Sequence, residues 1–177
     1  MSDAQALTGS IASSHVIKWL RAWYSEGMPD AIDLEIVRQM LPSTPYGAGV
    51  REIKPPVEII GDAFEGMLAR DPDDHAVWGI AYNGKARGER QRFTIAHELG
   101  HFILHRSQKQ SFNCDSQSVH TGIDGLRQIE READEFASNL LMPGDLLREW
   151  ISNQRIDLHV LSAIAKRFQV SFEALCI

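Results

Sequence analysis

The residues that most plainly carry chemistry are His97-Glu98-Leu99-Gly100-His101. Two histidines four apart on a helix differ by about 40° around the axis and about 6 Å along it. Their imidazoles can therefore converge on one metal ion. Glu98 lies to the side of the pair, within reach of a water held there but not itself a ligand. Zinc in such a site polarises the water and lowers its pKa. Glu98 can take the proton, the hydroxide can attack a peptide carbonyl, and Glu98 can pass the proton to the leaving amine. The chain has seven histidines. Random order of this composition yields the pattern with a chance of roughly 2%, so the motif needs support from its surroundings.

A catalytic zinc needs a third protein ligand and one position left open. The stretch Ile129-Glu-Arg-Glu-Ala-Asp-Glu-Phe136 offers carboxylates on a second helix. Glu130 and Asp134 stand at i and i+4 and share a face. In this reading Glu130 binds the metal and Asp134 accepts a hydrogen bond from a ligand histidine, fixing its tautomer. By helical phase Phe136, Ala137, Leu140 and Leu141 pack the core, and Ala133, Phe136 and Ala137 flank the two carboxylates. Inward-facing carboxylates are costly unless paired or metal-bound. Glu132 is the alternative ligand, and a solvated acidic helix face is the alternative to a site. A His/His/Glu set suits zinc (Zn2+), while Mn2+ and other divalent ions bind similar sets.

These residues need elements to hold them. Apolar residues at helical spacing predict a helix over Ile11–Glu26, ended by Gly27, and a short one over Leu34–Leu41, ended by Pro42. Strand-like runs follow at Val57–Ile60, Ala63–Leu68 and His75–Tyr82. Asp71-Pro-Asp-Asp reads as a hairpin turn and Asn83-Gly84 as the turn leaving the pair. Arg90–His105 is strongly helical, with Phe93, Ile95, Ala96, Leu99, Phe102 and Ile103 on its apolar side. Ser107–Gly125 reads as a long polar loop. A second strong helix spans about Leu126–Met142 and stops at Pro143-Gly144; Leu146–Ile151, Leu158–Phe168 and a last short turn complete the chain. The order puts helices first, then a small sheet. A domain over 1–145 would hold the site, and 146–177 would form a helical extension.

The bulk numbers suit that picture. A chain of 177 residues is long enough for one compact domain with a real core. Its net charge of −6 argues against a nucleic-acid partner, which needs cations to neutralise phosphates. The two cysteines, Cys114 and Cys176, make no disulfide framework and suit a reducing compartment. No run is apolar enough for a membrane span and the N-terminus has no secretory pattern. The expectation is a soluble cytoplasmic protein.

Two blocks also carry a resemblance. Arg90-Gln-Arg-Phe-Thr-Ile-Ala-His-Glu-Leu-Gly-His-Phe-Ile-Leu-His105 resembles the active-site helix of the ImmA/IrrE family of metallopeptidases. Glu130-Arg-Glu-Ala-Asp-Glu-Phe-Ala-Ser-Asn-Leu-Leu-Met-Pro143 resembles that family's second signature, E-x-x-A-[ND]-x-F-A running into Leu-Leu-Met-Pro. With the preceding strands the likeness covers roughly residues 30 to 145. It implies a zincin-like α+β metallopeptidase fold, with a small β-sheet packed beside the HExxH helix and a second glutamate-bearing helix. It implies His97, His101 and Glu130 as metal ligands, Glu98 as catalytic base, and Asp134 where many members carry Asn, in the E-x-x-x-D arrangement of thermolysin-like enzymes. Members are commonly anti-repressor proteases that cleave a helix-turn-helix repressor of the Xre type. Others belong to toxin–antitoxin-like pairs, which sets the alternative: a metal-binding partner of a repressor with little or no activity. The length is also expected to leave no room for the C-terminal sensor domain of the larger radiation-response members.

Other candidates are weaker. His105 follows His101 by four on a similar face, too far along the helix to join His97 on one ion, and reads as structural or substrate-side. His75 and His120 could supply a transition-state hydrogen bond but read better as surface histidines; Tyr46 and Tyr82 could also serve, and nothing in the sequence selects among them. Cys114 reads as an ordinary thiol, with a redox role as the alternative. The tail from Leu158 to Leu175 has a helix-turn-helix look, but only Lys166 and Arg167 are basic there, so a cap or a repressor-docking surface is preferred to direct DNA binding.

Overall fold

Thr8 starts the first helix, its hydroxyl accepting a hydrogen bond from the Ile11 amide at 3.3 Å. The computed structural model describes residues 7–61, 64–86, 88–114, 124–152, 155–172 and 174–176. Helix α1 spans Gly9–Trp23 and buries Ala12, Val16 and Leu20. Asp33 caps α2, Leu34–Met40, by accepting from the Glu35 amide at 2.8 Å. Two 3-10 turns, Leu41–Ser43 and Pro45–Gly47, follow. The strands are β1 (Glu52–Ile53), β2 (Val57–Ile59), β3 (Gly66–Arg70) and β4 (Val77–Asn83). Then come α3 (Glu89–Leu104), β5 (Ser111–Cys114), α4 (Asp124–Leu141), α5 (Gly144–Ile151) and α6 (Leu158–Phe168), closed by a 3-10 turn over Ala174–Cys176.

The sheet is mixed. β3 pairs antiparallel with β4 and β5, while β1 and β2 pair parallel with β4. The order is β1-β4-β3-β5, and β2 continues the β1 edge along β4. Pro55-Pro56 separates β1 from β2, as expected where two residues lack an N–H for the ladder. Facing register puts Leu68 opposite both Ile80 and Phe112, and Ile53 opposite Trp78. Strand alternation puts Trp78, Ile80 and Tyr82 on one face. All of these but Tyr82 are buried, and they form the floor on which α3 lies. Trp78 meets Phe102 of α3 edge-on, with centroids 5.9 Å apart.

The structure corrects several boundaries. The strand expected at Ala63–Leu68 is Gly66–Arg70; Ala63 lies outside the described residues. The first helix ends at Trp23, where Tyr24 turns to extended backbone, three residues before the expected end. The stretch expected as a loop from Ser107 to Gly125 contains β5, whose pattern Ser-Phe-Asn-Cys is too short to announce a strand alone. The two-residue β1 was also not foreseen, for the same reason. The fold is α+β, with six α-helices among the described residues. No helix among these residues is long and apolar enough to cross a membrane.

In the C-terminal part, Asp157 caps α6 through the Val160 amide at 2.9 Å, and Gln169 ends it in the left-handed conformation, φ 53°. Ile164 and Phe168 of α6 enter the same hydrophobic cluster as α3 and α4. Arg167 bonds Asp30 at 2.9 Å and lies over the Trp150 ring.

Candidate metal centre

Helix α3 is buried without interruption from Ala96 to Ile103, polar residues included. It lies between the sheet and α4, so its two sides meet different chemistry. Toward the sheet, Glu98 is fully buried and its carboxylate sits over Gly66 of β3. A Cβ on Gly66 would stand 2.5 Å from Glu98 Oε1 and equally close to Thr94 Cγ2. Only glycine leaves room for that carboxylate. Phe112 of β5 stacks on the His101 ring at 4.8 Å and 11°.

Toward α4 the donors converge. Close packing here depends on Gly100, whose Cβ would lie 3.2 Å from the Ala133 backbone. His97 Nε2 is 2.9 Å from His101 Nε2 and 3.1 Å from Glu130 Oε2, and His101 Nε2 is 3.5 Å from the same oxygen. His97 is 7% and His101 0% exposed. Tetrahedral ligands about 2.0–2.1 Å from zinc stand about 3.3 Å from one another. The three donors bracket that spacing, and their nitrogen–oxygen chemistry fits zinc and other divalent ions of similar taste.

Asp134 Oδ1 lies 2.8 Å from His97 Nδ1. An ionised carboxylate can only accept, so the ring proton sits on Nδ1 and Nε2 is left with its lone pair toward Glu130 and His101. Burial pushes His101 down to about 4, against the raising influence of Glu130. Burial alone would raise Glu130, but hydrogen bonds and charge from His101 and His97 outweigh it and hold the carboxyl well below its usual range. Near neutral pH the cluster thus offers a neutral His101 and an ionised Glu130, the forms that bind metals.

Of the residues expected from sequence, His97, His101, Glu130 and Asp134 stand together here, while Glu98 is buried on the side of α3 that faces Gly66. Glu132, the alternative ligand, does not join the three donors; its Oε2 lies 3.0 Å from His105 Nε2. His105 is buried and reaches His101 Nδ1 at 3.0 Å. That contact was foreshadowed by the i+4 spacing of His101 and His105. Gly66 and Phe112 were missed: each depends on strand register, which no local pattern encodes. Tyr82 is the cross-strand partner of Gly66 and shares its face, so it lies on the α3 side of the sheet. Tyr46 instead bonds His15 Nδ1 at 2.6 Å, and His75 is exposed. His120 and the Cys114 side chain lie outside the described residues.

A zincin-like fold with two helices facing each other across such donors marks a metallopeptidase class. The chain belongs to the IrrE N-terminal-like domain family, Peptidase_M78, whose model matches residues 58–177. It is similar to the radiation response metalloprotease IrrE of Deinococcus radiodurans, 34% identical over 106 residues, which cover 58% of this chain and 30% of the relative. The radiation response metalloprotease IrrE of Deinococcus deserti is 35% identical over 104 residues, covering 58% and 35%. The chain therefore spans about a third of the length of these curated relatives.

Proposed function

We propose that this protein is a metal-dependent endopeptidase that cleaves a regulatory protein, a helix-turn-helix repressor of the Xre type, in the cytoplasm. The observation that carries the peptidase reading is the convergence of His97, His101 and Glu130, two of them on the helix that also buries Glu98. The two Deinococcus relatives described above are metalloproteases, which supports it. The repressor as substrate rests on the resemblance of the two signature helices to anti-repressor proteases.

Zinc is the proposed ion; held by these three residues it would supply a polarised water and a Lewis acid for the scissile carbonyl. Glu98 accepts a proton from the attacking water and delivers it to the leaving amine. Asp134 keeps the His97 proton on Nδ1 throughout. β5 ends the sheet beside the site, with Phe112 against His101. An edge strand offers backbone N–H and C=O groups to an extended peptide, so β5 is the natural rail for the substrate chain. Tyr82, the cross-strand partner of Gly66, is a candidate for a hydrogen bond to the oxyanion.

The test is incubation of the zinc-loaded protein, and of Glu98→Gln, with an Xre-type helix-turn-helix repressor from the same organism. Cleavage by the parent and none by a Gln variant that still binds one zinc is the expected result. Equal cutting by both removes Glu98 as the base. Binding of the repressor without cleavage by either turns the reading to a non-catalytic partner of a repressor or toxin–antitoxin pair.

A further inference from the structure

The two histidine donors are held in different ways. His97 has a carboxylate directly on Nδ1, from Asp134 at 2.8 Å. His101 has none. Its Nδ1 faces His105 Nδ1 at 3.0 Å, and His105 Nε2 faces Glu132 Oε2 at 3.0 Å. Both rings are buried, at 0% and 1% exposure. Phe112 covers His101 face to face and stands 6.1 Å from His105, so the rings have little freedom to flip.

This chain of contacts has one proton arrangement compatible with a free Nε2 on His101. A ring nitrogen donates or accepts but does not do both. The Glu132 carboxylate accepts, so His105 carries its proton on Nε2. A neutral His105 then accepts at Nδ1, so His101 carries its proton on Nδ1. The lone pair of His101 Nε2 is thereby aimed at His97 and Glu130. Had His105 a proton on both nitrogens, His101 would have to accept at Nδ1 and carry its proton on Nε2, where a ligand is needed.

We propose that Glu132 and His105 are positioning residues that fix the tautomer and orientation of His101 across two hydrogen bonds, as Asp134 does for His97 across one. The proposal rests on the metal-site reading above. It makes α4 the source of three carboxylates with separate tasks: Glu130 as donor, Asp134 on His97, and Glu132 on His101 through His105. Glu132 is further oriented by Gln128, which donates to its Oε1 at 2.8 Å.

The test uses zinc alone, titrated into the full chain against a chromophoric chelator. Partners of metal-bound histidines are worth about 10–100-fold in affinity. Glu132→Leu and His105→Phe are expected to weaken zinc within that range. Glu132→Gln, which can still accept from His105, should fall between parent and Glu132→Leu. His105→Gln, able to accept from His101 and donate to Glu132, should recover most of the affinity lost in His105→Phe. Long-range proton–nitrogen spectra of the metal-free protein should show His101 protonated on Nδ1 in the parent and mixed in Glu132→Leu. If His105→Phe fails to fold, the part-exposed Glu132 variants carry the test. Parental zinc affinity and an unchanged His101 tautomer in Glu132→Leu would overturn the relay while leaving the metal site intact. A parent whose zinc affinity is untouched by His97→Ala would instead overturn the metal site itself.

Discussion

Helices α3 and α6 are both amphipathic and both touch the common core, yet they bury different things. α3 is buried over eight consecutive residues, among them His97, Glu98 and His101. α6 buries only Ile164 and Phe168 and leaves Leu158 75% exposed. Burying apolar side chains is the ordinary way to hold a helix. Burying a carboxylate and several imidazoles is unfavourable unless other groups compensate them. On α3 the carboxylates of Asp134, Glu130 and Glu132 meet the histidines, and Gly66 leaves the space that the Glu98 side chain occupies. The difference marks α3 as the helix whose burial carries an energetic cost, and α6 carries none of that kind.

The largest effect that separates the two helices is expected from His101→Ala. Removing one of two imidazole donors should abolish stoichiometric zinc binding and reduce peptide cleavage to background. Retained zinc at parental affinity would break the contrast. Next comes Gly66→Ala, distant in sequence from the motif. The added methyl must displace the Glu98 carboxylate, so kcat should fall about 10²–10⁴-fold, the usual worth of a general base. Zinc affinity should stay near parental, since Gly66 touches no donor. Overpacking there is also expected to lower stability by about 1–3 kcal/mol, read by urea unfolding.

A pH series sharpens the comparison further. His101 sits at about 4 in the folded chain, below the ordinary 6.5. Between those values the unfolded state binds the proton and the folded state does not, so stability falls as pH drops through that window. Glu130, also lowered, acts in the same direction below its ordinary 4.5. The metal-free protein should lose about 2 kcal/mol from His101 between pH 7 and 5, and bound zinc should enlarge the loss by resisting protonation of its ligands. His101→Ala should flatten the metal-free slope. The smallest effect belongs to α6: Leu158→Ala should change stability by less than about 0.5 kcal/mol and leave zinc binding unchanged. A drop in either would mean that this surface takes part in the site.

Much of the site was legible because helical spacing is local information. His97 and His101, or Glu130 and Asp134, declare a shared face through four residues of sequence. His105 was legible only in part: its spacing from His101 was visible, but its partner Glu132 was read as a substitute ligand. The two lie 27 residues apart, and their meeting depends on how α3 crosses α4. Gly66 and Phe112 were invisible for a related reason. Each matters because register places it under the motif helix, Gly66 beneath Glu98 and Phe112 beneath His101. β5 is four residues long and β1 two, too few for a period-2 pattern to stand out from a polar loop. The two strong helices, α3 and α4, were readable to within one or two residues at each end because their apolar faces repeat over four turns or more.

The most direct test of the account is a crystal structure of the zinc-soaked protein with anomalous data collected at the zinc edge. The account predicts one ion per chain, bonded at about 2.0–2.2 Å by His97 Nε2, His101 Nε2 and a Glu130 carboxylate oxygen, with Glu98 beside it and unbonded to it. An ion held instead by His105 and Glu132, or no ion between α3 and α4, would contradict it.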